Sequence, residues 1–160
     1  MRPSRFRPRS GFTLAELFIA ISIVGILTAV SLPRMSNLRN KSQLANATTR
    51  FTRAVMAARQ AAIQRGKHSY FKNNNSVMWV IVDTTGANTD SVIITRALDI
   101  ANQYGVRVTA PSGLTSIEYD PRGVSAQASQ QIFIFEHTSS GLTDSLCVSK
   151  LGNTIRSRCP

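Results

Sequence analysis

At 160 residues, 42% of them hydrophobic and 17% charged, the chain has the length of one compact domain with an appendage, which argues against a multi-domain enzyme. Its net charge of +11 would fit a nucleic-acid binder if it were spread evenly, but it is not. Residues 1–11 carry four arginines and no acid, residues 34–72 nine cations and no acid, and residues 73–160 six cations against seven acids, so the basic excess belongs to a stem and the head is nearly neutral.

From Phe12 to Leu32 runs FTLAELFIAISIVGILTAVSL, which as a helix rising 1.5 Å per residue is long enough for a hydrocarbon layer roughly 30 Å thick. Glu16 is its only charge. A carboxylate in lipid costs a few kcal/mol and asks for a partner, which makes Glu16 a functional candidate. Thr13-Leu14-Ala15-Glu16 also fits the capping box S/T-x-x-E, a local use of the same acid that is compatible with the first. A third reading is an ordinary secretory signal, because a basic segment precedes the apolar run and Ala29-Val30-Ser31 has the small-x-small pattern of a cleavage site. Glu16 opposes it, since it falls where an uncharged region should begin.

Arg9-Ser10-Gly11-Phe12-Thr13-Leu14-Ala15-Glu16-Leu17 resembles the prepilin signature of type IV pilins and type II secretion pseudopilins: a short basic leader, Gly, Phe-Thr-Leu, an acid five residues past the Gly, then an apolar helix. Ala15 departs from the isoleucine common in that family. The resemblance implies cleavage after Gly11 by a prepilin peptidase and methylation of the new Phe12 amine. It gives Glu16 a partner in trans, the N-terminal ammonium of a neighbouring subunit, which would set the register of a helical filament.

Pro33 follows the apolar run, and a proline inside a helix removes a backbone bond, so a kink or local unwinding is expected there. The resemblance makes it the membrane exit. Beyond it Leu44, Thr48, Phe51, Val55, Ala58 and Ala62 recur at steps of three and four, one stripe of an amphipathic helix that should bury against a sheet. Arg39, Arg50, Arg53, Arg59 and Arg65 flank the stripe, as a solvated face or as contacts to acidic neighbours or anionic lipid. Gly66 predicts a C-cap, which gives a helix over roughly 13–65 that, at nearly 80 Å, must protrude from so small a domain.

Past Gly66 the pattern changes to short β-rich runs, 77–83, 92–96, 106–109, 116–119, 132–135, 146–150 and 154–158. They are separated by turn material such as Asn73-Asn74-Asn75, Thr85-Gly86, Pro111-Ser112-Gly113 and Asp120-Pro121-Arg122-Gly123. The fold class is therefore α+β, a long helix on a mainly antiparallel sheet head. The expected organisation is a leader at 1–11, a transmembrane helix at 12–33, an amphipathic stem at 34–66 and a β-rich head at 67–160. Within the family the head most resembles the GspH/FimT group of minor pseudopilins and minor pilins. That likeness is carried by the Asp120–Gly123 turn ahead of Ile132-Phe133-Ile134-Phe135 and by the ending Leu146-Cys147-Val148-Ser149-Lys150-Leu151-Gly152-Asn153-Thr154-Ile155-Arg156.

Cys147 and Cys159 are the only cysteines, and their spacing matches no CxxC metal or redox motif, which leaves a structural disulfide or two free thiols. A disulfide implies an oxidising compartment. With the resemblance, it places the head in the periplasm and the helix in the inner membrane as a single pass. A three-residue turn centred on Asn153 would set Cys147 opposite Cys159 and Lys150 opposite Arg156, with Val148, Lys150, Arg156 and Arg158 on one face. Lys150, Arg156 and Arg158 are then candidate DNA contacts, because some FimT-like minor pilins bind DNA through a C-terminal Gly-Arg-x-Arg motif. Here Asn153 replaces the first of those arginines, and a solvated surface explains the same charges. His68 and His137 lack ligand spacing, and no nucleophile motif, phosphate loop or carboxylate pair occurs. Neither enzyme activity, cofactor nor metal is expected. The expected partners are other pilin or pseudopilin subunits, the prepilin peptidase and an inner-membrane assembly platform, with DNA as the alternative, and a secreted β protein as a weaker one.

Overall fold

The computed structural model describes residues 12–83 and 91–156. The leader with Gly11, the Thr85-Gly86 turn, Arg158 and Cys159 lie outside the described residues. The chain divides into two compact units, Met1–Leu38 and Arg39–Pro160.

One helix, α1 (Leu14–Arg65), runs through both. It stays helical at Pro33, so the local unwinding expected there is absent. It ends at Arg65, followed by Gly66 in left-handed backbone. Within the second unit the predicted stripe is buried throughout: Thr48, Phe51, Val55, Ala58 and Ala62 have no exposed surface and Leu44 very little.

The rest of that unit is eight strands and one short helix: β1 (Ser69–Asn74), β2 (Val77–Asp83), β3 (Ser91–Asp99), α2 (Ile100–Tyr104), β4 (Val106–Thr109), β5 (Ser116–Tyr119), β6 (Gln131–His137), β7 (Thr143–Val148) and β8 (Thr154–Arg156). They form two antiparallel four-stranded sheets instead of one. Sheet A has the order β3-β2-β1-β5 and sheet B the order β4-β6-β7-β8. β1 occupies ground expected to be a loop. Asn73 and Asn74 belong to the strand, and the turn is Asn75-Ser76, both at positive φ (48° and 68°), the backbone of a type I′ hairpin whose twist matches its strands. The helix α2 was also unforeseen. The Asp99 carboxylate accepts from the Asn102 N–H at 2.9 Å to start it, and Gly105 ends it.

Phe51 ties the helix to both sheets. Its ring centroid lies 4.8 Å from Phe71 of sheet A and 4.8 Å and 5.1 Å from Phe133 and Phe135 of sheet B, in edge-on or tilted geometry, the arrangements that ring quadrupoles favour. A single core cluster extends from Leu44 to Ala62 on the helix and into both sheets.

The C-terminal hairpin departs from the expected register. Leu146 faces Arg156, Cys147 faces Ile155 and Val148 faces Thr154. The loop does have three residues, but it centres on Leu151 and not on Asn153. The Gly152 N–H donates to the Ser149 carbonyl, and the Ser149 N–H donates to the Asn153 carbonyl, each at 2.9 Å. Gly152, at φ 79°, supplies the left-handed residue that closes a type I turn with a bulge. Lys150 is therefore a turn residue that does not oppose Arg156, and Ile155, not Cys159, stands across from Cys147.

Candidate functional site

The N-terminal site begins where α1 starts. The Thr13 N–H and Oγ1–H both donate to Glu16 Oε2, at 2.9 and 3.0 Å, while the Glu16 N–H donates back to Thr13 Oγ1 at 3.2 Å. This is the reciprocal capping box, which satisfies backbone donors that a helix start otherwise leaves bare. Only one carboxylate oxygen takes part. Among the described residues Oε1 has no hydrogen-bond partner, and Phe12, the residue beside the cap, is 88% exposed.

Above this cap the helix is apolar on every side. Leu14, Leu17, Phe18, Ile19, Ile21, Ile23, Val24, Ile26 and Leu27 are each more than half exposed, so the described residues leave each of them mostly uncovered. The three hydroxyls in this stretch turn inward on their own helix: Ser22 donates to the Phe18 carbonyl at 2.8 Å, Thr28 to Val24 at 2.9 Å and Ser31 to Leu27 at 2.8 Å. A segment whose polar groups are satisfied internally and whose surface is hydrocarbon suits a bilayer. By length and composition α1 contains a candidate membrane span.

A second site lies in the head, where the end of α1 meets two turns. The Asp120–Gly123 turn is closed by the Gly123 N–H donating to the Asp120 carbonyl at 2.8 Å. Asp120 Oδ1 accepts from the N–H groups of Arg122 and Val124 at 3.0 and 2.8 Å. These bonds, the Val124 N–H first, hold the Asp120 carboxyl below its ordinary range, though desolvation works the other way. A methyl on Gly123 would come within 2.6 Å of Ile63 Cδ1 on α1, and one on Gly152 within 2.7 Å of Tyr119 Cε1. Both turns are therefore pressed against their neighbours. Arg59 completes the lock, donating from Nη1 to Asn153 Oδ1 at 2.9 Å. Enclosed among them, Tyr119 is fully buried, and desolvation raises its hydroxyl to about 12 despite Arg59 nearby.

The other predicted residues are less concentrated. Arg156 Nε donates to Asp144 Oδ2 at 2.8 Å, and the same oxygen accepts from Thr48 Oγ1 at 3.2 Å, so Arg156 serves to join β8, β7 and the helix. Lys150 is exposed in the turn. His68 Nδ1 lies 2.9 Å from Glu118 Oε1, and His137 Nε2 lies 3.0 Å from Gln43 Oε1. The two histidines thus belong to separate polar contacts, and among the described residues no cluster of metal-ligating side chains occurs.

The family model described as "Type II transport protein GspH" matches residues 47–152, more than half of the chain, from within the buried stripe to the hairpin turn. The chain belongs to the GspH family. The model of the prokaryotic N-terminal methylation motif matches residues 6–32, which places the GspH head behind a pilin-type leader and apolar helix. Among curated relatives, the type IV major pilin protein PilA of Myxococcus xanthus (strain DK1622) is 32% identical over 114 residues, 71% of this chain and 43% of that protein. A fimbrial protein of Pseudomonas aeruginosa is 34% identical over 61 residues, 38% of this chain and 39% of the relative. This chain thus spans less than half the length of either. The crystal structure of the type IV minor pilin FimU of Pseudomonas aeruginosa (strain PAO1) superposes with a TM-score of 0.60 at 12% identity, covering 74% of this chain and 90% of that one, a likeness of fold. The family is described as one of type II transport, and the FimU likeness adds the fold alone.

Proposed function

We propose that this protein is a minor pilin or pseudopilin whose N-terminal helix anchors it in the inner membrane, with its head in the periplasm, until it is drawn into a short filament. A prepilin peptidase cuts after Gly11 and methylates the Phe12 amine. An inner-membrane assembly platform then adds the subunit to its neighbours. The observation that carries this reading is the half-occupied Glu16 carboxylate at the foot of an exposed apolar stretch of helix. Its own cap uses Oε2, and Oε1 is left to accept the ammonium of a neighbouring Phe12, which relieves two charges that lipid would otherwise strand. Pro33 marks the membrane exit, and Cys147 pairs with Cys159 in the oxidising compartment outside. The role is assembly and contact, without catalysis.

Nothing favours DNA over this reading, since Arg156 is bound to Asp144 and Lys150 sits by itself on the turn. The test is the mature N-terminus together with incorporation. Mass spectrometry should find a methylated Phe12 as the first residue, and Glu16→Leu should abolish entry into sheared filaments while leaving the protein in the membrane. An N-terminus near Leu32, or Glu16→Leu filaments with the normal content of this subunit, would refute it.

A further inference from the structure

Between α1 and strands β2 and β3 lies a cleft of about 230 Å³. Its apolar lining comes from Ala54 and Ala57 on the helix, Met78 on β2 and Leu98 on β3, with half-buried Trp79 at its edge. Three arginines also line it, Arg50 and Arg53 from α1 and Arg96 from β3.

Consecutive residues of a regular strand leave on opposite faces, so neighbours do not ordinarily share a cavity. Here Met78 and Trp79 both line the cleft, as do Thr95 and Arg96. The β2–β3 ladder slips at this place, between Met78 and Val80 and again between Val80 and Ile81. Such bulges redirect side chains and recur beside functional sites. Among the described residues the Arg96 guanidinium beside these slips has no counter-charge. Arg59, Arg122 and Arg156 all have side-chain partners, whereas Arg50, Arg53 and Arg96 have no hydrogen bond or ion pair among the described residues. Three cations gathered round an apolar hollow repel one another until an anion joins them.

We propose that this cleft receives an apolar or aromatic side chain flanked by carboxylates, from an acidic segment of a different filament subunit. The inference rests on the assembly reading above. Charge complementarity names the chemistry, and the remaining charges narrow the source. A second copy of this chain is a poor donor. Residues 34–72 hold no acid, and most acids of the head are already engaged: Asp99 with Asn102, Glu118 with His68 and Tyr70, Asp120 with Arg122, and Asp144 with Arg156. Asp83 has a partner as well. A nucleic-acid strand asks for cations that track its backbone and for several stacking faces in series. This cleft offers three cations around one hollow and a single tryptophan.

The test uses the full-length protein in its own cells, with a photo-crosslinking amino acid placed at Ala57 or, in a second variant, at Thr95. Adducts are identified by peptide mass spectrometry in the sheared-filament fraction. The expected product joins the cleft to a segment of another pilin-type subunit bearing two or more Asp or Glu. Its yield should fall on the order of tenfold in Arg50→Glu/Arg53→Glu, as for truncated charge pairs at interfaces. Changing those partner acids to Lys should restore it. Adducts only to this chain, adducts removed by nuclease, or none in filaments that contain the protein would overturn the proposal and leave the assembly reading intact. Failure of the unsubstituted protein to enter filaments would overturn both.

Discussion

Replacing Phe51 by alanine should unfold the head more effectively than any other single change in the stem. The ring is fully buried and touches three other rings, one on sheet A and two on sheet B. Removing a buried phenylalanine costs about 3–5 kcal/mol in lost burial plus residual cavity. Edge-on aromatic pairs add about 0.5–1.5 kcal/mol each, and because three are lost at once the upper end applies. With about 4 °C of Tm lost per kcal/mol in a domain of this size, the fall is roughly 20 °C. Thermal and urea unfolding of the unit Arg39–Pro160, followed by far-UV circular dichroism, measures it. Met56→Ala is the control, because Met56 is on the same helix but 47% exposed, and surface changes stay within about 0.5 kcal/mol. If Phe51→Ala lowered stability by no more than the control does, the helix would not be the element that joins the two sheets.

Tyr119 predicts a pH dependence. Its hydroxyl titrates near 10 in the unfolded chain and at about 12 in the folded one, so the unfolded state loses its proton first and stability falls as pH rises through that window, by roughly 2–3 kcal/mol. Tyr119→Phe should remove this component of the alkaline loss. At neutral pH it should be neutral or stabilising, because the buried hydroxyl has no hydrogen-bond partner among the described residues. Gly152→Ala should cost about 2 kcal/mol or more, combining a left-handed alanine with a methyl pressed on the Tyr119 ring; a urea midpoint shifted at constant slope would register it. For the proposed Cys147–Cys159 bond, the double serine variant should lose about 3 kcal/mol under oxidising conditions, and the difference from the unsubstituted protein should shrink in reductant.

What the sequence disclosed depended on how local the deciding interaction is. The stem stripe, the cap at Thr13–Glu16 and the strands Val77–Asp83, Val106–Thr109 and Ser116–Tyr119 were readable, because periodicity and flanking turn residues act within a few positions. β1 escaped because its sequence, SYFKNN, is polar at positions whose burial comes from β2 and β5 on either side, and three asparagines in a row look like a turn. The five residues of α2 are too few to show a helical period. The division into two sheets was invisible, since β1 pairs with β5 across most of sheet A's intervening chain. The hairpin failed by one detail: Gly152 was present as a turn signal, but centring the loop on Asn153 moved every cross-strand pair. Arg50, Arg53, Arg96 and Trp79 could not have been grouped at all, because they meet only around a cleft between α1 and two strands distant from it in the chain.

The occupied oxygen of Glu16 has a thermodynamic consequence on the proposed reading. A subunit waiting in the bilayer is not a naked ion, because its own first turn already solvates half of the carboxylate. Joining the polymer then leaves this cap in place and adds a partner for the second oxygen, so the helix start and the subunit contact draw on the same carboxylate without competing for it.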